Sequence, residues 1–213
     1  RSIISAVHEG RTIYANIKRM VVYLLATNLG EVLVSIGSLL VGLPIPLLPV
    51  QILWVNLVTD TTMVIPLGVE PGSPQAMRRS PYHPKAPLLS RFMLSRVGLI
   101  AVVMAVITLG LYSMYYHSHG EGYARTIAFC ALVVMQWASA LAARSDYEPV
   151  WRRARRWSTA FYGGLAVSFV LQLVALFGPL EQWLHVAPIS WSDGVFVWIV
   201  AFFVPLAIIE GHK

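Results

Sequence analysis

Five oxygen-bearing residues in the first 60 positions of this 213-residue chain are placed as if to share one task. Asn28 and Glu31 stand three apart in MVVYLLATNLGEVLVSIGSLLV, and Asn56, Thr59 and Asp60 stand at i, i+3 and i+4 in LLPVQILWVNLVTDTTMVIPLGV. On a helix those spacings put each set on a single face. Two carboxylates, two amide oxygens and a hydroxyl make an all-oxygen donor set of the kind that Ca2+ or an alkali ion prefers. No Cys or His cluster accompanies them, which disfavours zinc and copper.

The elements that must position these residues are apolar. The chain is 57% hydrophobic and 12% charged, against about 25% charged in ordinary soluble domains. Its apolar residues come in runs long enough to cross the ~30 Å of hydrocarbon that takes ~20 helical residues. Six spans are read at 20–41, 47–69, 92–116, 124–143, 158–178 and 192–209. Each must be helical, because only a helix satisfies its own backbone within lipid. The expected fold is therefore all-α, a polytopic membrane bundle of six helices. Cys130, the single cysteine, falls inside an apolar run and reads as a packing residue.

Depth sharpens the first observation. Glu31 is the twelfth residue of a span entering from one side. Asp60 is the tenth from that same side in the next span, because GLPIP at 42–46 makes a tight turn between the two. At ~1.5 Å of rise per residue, both carboxylates fall near mid-membrane and within about a turn of each other. A carboxylate there costs ~2.5–3.5 kcal/mol on insertion scales. No Lys or Arg lies mid-span to offset it. A bound cation, a proton, or a group on another segment must fill that role. Pro66 and Gly68, just inward of Asp60, suggest a broken turn that frees carbonyls beside the site.

Net charge is +6, but the basic residues sit in loops between spans, which argues against nucleic acid. With the loops at 70–91 and 144–157 and both termini in the cytoplasm, fifteen of the sixteen Lys and Arg residues fall inside or at the inner border. Only Arg125 lies outside, so the positive-inside rule sets the orientation. The organisation expected is a cytoplasmic stalk helix at 1–19, an ion-site hairpin at 20–69, a cytoplasmic loop at 70–91, four supporting spans within 92–209, and a tail at 210–213. An integral protein of the plasma membrane is the expected setting.

YLLATNLGEVL and PVQILWVNLVTD, followed by LGVEP, resemble the fifth and sixth membrane helices of P-type cation-transporting ATPases of the calcium-pump and sodium-pump branch. EGRTIYANIKR resembles the stalk entering the fifth helix, MRRSPYHPKAPLLSR the loop after the sixth, and VVMQWASALAARS the eighth helix. The resemblance implies cation ligands at Asn28, Glu31, Asn56, Thr59 and Asp60. It adds Gln136, which stands where the sarcoplasmic-reticulum calcium pump has a glutamate and the sodium pump a glutamine. Asn56 points the other way, since the sodium pump carries an aspartate there. Calcium is favoured over sodium or potassium as the transported ion.

The same resemblance implies what acts with this chain. The DKTGT and TGDGVND motifs do not occur in it, so Mg2+ and ATP are expected only in phosphorylation, nucleotide and actuator domains outside it. The first four membrane helices are likewise expected elsewhere in a longer protein, and the lipid bilayer is the remaining partner. ATP hydrolysis by this fragment alone is not expected. A channel or secondary transporter is the alternative from another class, since it would need only the polar layer.

The orientation is open to a test that owes nothing to family. Cysteines introduced at Ser80 and Ser118 are expected to react with an impermeant thiol reagent from opposite sides of intact membranes, and labelling of both from one side would overturn the topology.

Overall fold

A computed structural model describes residues 2–72, 77, 87–144, 150, 152 and 158–212. The loop segments 73–76, 78–86, 145–149, 151 and 153–157 lie outside the described residues, so the expected loops at 70–91 and 144–157, including the RRARRW run, fall largely there. The described residues are helical throughout the membrane-spanning stretches. They form α1 (Ser2–Leu40), α2 (Pro49–Trp54), a π-helical turn (Val55–Thr59), α3 (Asp60–Gly68), α4 (Arg91–His119), α5 (Glu121–Ala143), α6 (Thr159–Phe177), the single turn α7 (Glu181–Leu184) and α8 (Trp191–Gly211). Six stretches are long and apolar enough to cross a membrane: α1, the run from α2 to α3, α4, α5, α6 and α8.

α1 has 39 residues without interruption, about 58 Å of helix and nearly twice the hydrocarbon thickness. Its surplus length precedes the apolar stretch, as a stalk requires. It ends where the sequence supplies a glycine: Gly42 has φ 72°, and Leu43 N–H donates to Ser38 O at 2.9 Å while Gly42 N–H donates to Leu39 O at 3.2 Å. That pair of bonds closes the last turn on a left-handed residue. The chain then reverses, and Pro49 opens α2 where a missing N–H leaves nothing unpaired.

α5 is the hub. In it, 94% of the most apolar stretch is buried, against 22% in α8. Its alanines, with Ser139, let neighbouring backbones approach closely, which is how helices associate without a hydrophobic drive between them. α4 and α8 pack along it, with α1 and α3 against its remaining faces. Trp137 ties the far side together: its indole N–H donates to Ser168 Oγ of α6 at 2.9 Å, and its ring meets Trp198 of α8 edge-on at 5.5 Å. At the other end Asp193 of α8 accepts from the hydroxyls of Tyr115 and Tyr123, joining α4, α5 and α8.

The second span differs from expectation. The helix does not break at Pro66; α3 runs through it and ends at Gly68. The irregular turn lies instead at Val55–Thr59, where the Asp60 N–H reaches back five residues to Val55 O. Pro66 is accommodated because α6 backs directly onto it at Gly164. A Cβ built on Gly164 would sit 2.5 Å from both the Thr62 carbonyl oxygen and Pro66 Cγ. That carbonyl is the one whose helical donor Pro66 removes.

Gly164→Ala is therefore expected to destabilise the bundle by about 1–3 kcal/mol, because the clash is partly with backbone that cannot turn aside. A lowered thermal unfolding midpoint in detergent checks it, with Gly163→Ala, whose Cβ meets nothing within 4 Å, as the control.

Candidate ion site between the first two spans

The π turn carries two of the residues singled out by spacing, Asn56 and Thr59, and Asp60 follows it directly as the first residue of α3. A π turn inserts one residue into a helix and widens it, and such turns recur at functional sites. Here it shifts the faces of Asn56, Thr59 and Asp60 relative to a regular helix. Thr59 and Asp60 are buried, and Asn56 is half-buried at the seam with α1.

Glu31 is the centre of what assembles. It is 5% exposed. Its Oε2 accepts from Asn56 Nδ2 at 2.8 Å, and its Oε1 accepts from Gln136 Nε2 at 3.1 Å. Three helical segments thus meet on one carboxylate: α1, the π turn and α5. Gln136 is fully buried, and its Oε1 takes no hydrogen bond among the described residues. An unengaged amide oxygen at that depth is a donor atom for a cation.

Asp60 sits beside this group, 3% exposed, and the two carboxylates lie within electrostatic reach of each other. Tyr23 donates its hydroxyl to Asp60 Oδ1 at 3.1 Å and is itself 1% exposed. Among the described residues no Lys or Arg forms an ion pair with either acid.

Asn28 is placed differently from its companions. It is exposed, and its Nδ2 donates to Leu24 O one turn back at 2.8 Å, although the same amide also faces the Asp60 carboxyl. It marks the uncovered side of the group. Leu25, Leu29 and Val32 beside it on α1, and Leu53 and Leu57 across the seam, are exposed too. Thr59 is buried within the same turn, with its carbonyl accepting from Thr62 Oγ1 at 2.9 Å. The structure thus brings Glu31, Asn56 and Gln136 into direct contact, sets Asp60 beside them, and leaves Asn28 at the rim.

Spacing and depth did not single out Tyr23. A tyrosine in an apolar run is unremarkable by type, but Tyr23 lies eight residues before Glu31, two turns along the same face, which is a signal a periodicity search can use. α1 is not exposed all round where its apolar stretch begins. Asn16, Lys18 and Arg19 are buried, and Asn16 reaches across to the C-terminal end of α3: its Nδ2 donates to Gly68 O and Glu70 O. Glu70 and Arg144, read from sequence only as loop residues, form a buried ion pair, Nη2 to Oε1 at 2.8 Å.

Chains that resemble this one share a theme. The family model described as cation transporting ATPase, C-terminus, matches residues 44–213. A calcium-transporting ATPase of Bacillus subtilis is 37% identical over 199 residues, 92% of this chain and 22% of that protein. Calcium-transporting ATPase 1 of Bacillus cereus is 47% identical over 89 residues, 42% of this chain and 10% of that protein. A probable cation-transporting ATPase F of Mycobacterium tuberculosis is 31% identical over 213 residues, 97% of this chain and 23% of that protein. The chain spans about a fifth of the length of the relatives it matches from end to end.

The contact between Asn56 and Glu31 is testable whatever the ligand. Asn56→Leu leaves Glu31 Oε2 buried without its donor and is expected to lower stability by about 1–3 kcal/mol. Adding Glu31→Gln is expected to recover part of the loss, since a neutral amide is cheaper to bury than a carboxylate. Thermal unfolding of the single and double variants in detergent reads both effects.

Proposed function

Since the chain belongs to the family of cation-transporting ATPase C-terminal regions, we propose that it is the ion-site part of the transport domain of an ATP-driven calcium pump. The observation that carries this reading is the pair of buried acids, Glu31 and Asp60, surrounded by amide and hydroxyl groups and by no basic side chain of the described residues. A divalent cation between them would offset both charges, and Asn56, Thr59, Asn28 and the unengaged Oε1 of Gln136 would add neutral oxygens.

The chemistry asked of these residues is exchange rather than bond making. Without a cation, amide N–H groups of Asn56 and Gln136 satisfy Glu31, and the Tyr23 hydroxyl satisfies Asp60. A cation arriving at the carboxylates would displace these donors, and the amides would turn to present oxygen instead. The fully open rim at Asn28 suits a further ligand from the membrane helices that precede this segment in the longer protein. Phosphorylation, nucleotide binding and Mg2+ belong to domains of that protein outside this chain, and the stalk half of α1 is the link to them. The cytoplasmic position of both termini and a plasma-membrane location fit the same reading.

A glutamine at 136 has a consequence for stoichiometry. It gives one oxygen to a cation but no charge, so Glu31 and Asp60 together neutralise a single Ca2+. A pump for monovalent ions of the sodium or potassium kind is the reading this glutamine also suits. Radioactive calcium binding to the full-length protein separates them. One Ca2+ per phosphorylation site is expected, lost in Asp60→Asn together with cation-dependent phosphorylation by ATP, because an amide dipole cannot replace a charge. Two tightly bound Ca2+ would remove the limit assigned to Gln136, and phosphorylation dependent on Na+ or K+ but not Ca2+ would favour the monovalent pump.

A further inference from the structure

Three helices converge on Glu70, just beyond the inner end of α3. The last carbonyls of a helix lack helical donors, and two in this turn are taken by a side chain from α1: Asn16 Nδ2 donates to Gly68 O at 3.0 Å and to Glu70 O at 2.8 Å. Arg19 Nη1 donates to Asn16 Oδ1 at 2.9 Å, which fixes the amide with both protons toward α3. The Glu70 side chain points the other way. Its Oε1 accepts from Arg144 Nε at 3.0 Å and Nη2 at 2.8 Å, with both side chains 1% exposed. Arg144, at the end of α5, lies 4.7 Å over the ring of Phe161 and donates through Nη1 to the Tyr162 hydroxyl of α6 at 3.3 Å. Glu70 is thus held by its backbone from α1 and by its carboxylate from α5.

We infer that Asn16, Glu70 and Arg144 form a clasp that delivers motion of the stalk to the ion site, making them positioning residues for transport. The inference rests on the pump reading above. α1 is one unbroken helix, so Asn16 and Glu31, fifteen residues or about 22 Å apart, move as parts of a single rod. α3 is a short rigid piece with Asp60 at its outer end and the clasp at its inner end. Its outer neighbour α2 is anchored: Gln51 Nε2 donates to Leu184 O at 3.0 Å, and Trp54 Nε1 donates to Gln172 Oε1 at 3.2 Å. Between anchor and rigid piece lies the π turn, where the Asp60 N–H reaches back five residues rather than four. A tilt of α1 therefore pulls α3 at Glu70 and swings it about the π turn, moving Asp60 relative to Glu31. Arg144 sits two turns beyond Gln136 on the same side of the membrane, so the same grip keeps Gln136 in step.

The clasp predicts linkage without separation. In the full-length protein reconstituted in vesicles, cations moved per ATP hydrolysed are measured for the cation that stimulates hydrolysis. Asn16→Ala and Arg144→Lys are expected to keep cation-stimulated hydrolysis and its half-saturating cation concentration while transport per ATP falls about fivefold or more, the low end of ordinary coupling energies. The companion measurement needs no weakened fold. A Cβ at Gly72 falls against the Thr12 hydroxyl, so Thr12→Cys with Gly72→Cys can be oxidised to a bond one turn from the clasp. The cross-linked protein is expected to transport as well as the reduced one, since α1 and the end of α3 stay together through the cycle. Transport per ATP unchanged in both substitutions, or transport blocked by the cross-link and restored by reductant, would overturn the clasp while leaving the pump reading intact. Absence of any cation-stimulated hydrolysis in the unmodified protein would overturn both.

Discussion

Two carboxylates held in hydrocarbon without a basic partner govern the rest of the arrangement. Each costs several kcal/mol to place at that depth, so the surroundings must supply donors or a ligand. The bundle does this with neutral groups: amides from the π turn and α5 on Glu31, and a tyrosine hydroxyl on Asp60. Neutral donors stabilise an acid while leaving its charge for something that comes and goes. A lysine or arginine in the same place would hold the acid permanently. The described arginines that are buried stand instead toward the ends of the spans, where Arg144 meets Glu70.

The helices serve that constraint in different ways. α1 and the second span bring the acids together, and α5 provides both the Gln136 amide that meets Glu31 and the central surface on which the others pack. The π turn is the local departure from regularity, and it falls beside the candidate ligands of the second span rather than at Pro66. Pro66 could be absorbed by close approach of Gly164, whereas a regular turn at 55–59 would have set Asn56 and Asp60 on a different bearing.

Much of this was legible in the sequence because membrane depth makes acids conspicuous. Glu31 and Asp60 declared themselves by type and position, and the six spans by length and apolarity. Gln136 entered only through resemblance, since one glutamine in a span is common as interhelical glue. Tyr23 was hidden by its type. The π turn was hidden because spacing of three and four residues reads as ordinary helix, and the extra residue shows only in the backbone bonds. Glu70 and Arg144 were hidden by the very rule that oriented the chain: charged residues at span ends are expected there for topological reasons, and nothing in their spacing told that these two are buried against each other.

The burial of α5 has a bearing on how the protein is made. It is joined to α4 through Gly120 alone, so the two enter the bilayer as a hairpin. α8, which packs along much of α5, and α6, which meets it at Trp137, are synthesised after it. For that interval Trp137 has lipid where Ser168 and Trp198 will stand, and Gln136 is sheltered only if α1 and the second span have already closed on it. The order of the chain makes assembly directional: α1 and the second span precede α5, and the face of α5 that packs on α8 stays open to lipid until Trp191–Gly211 is made.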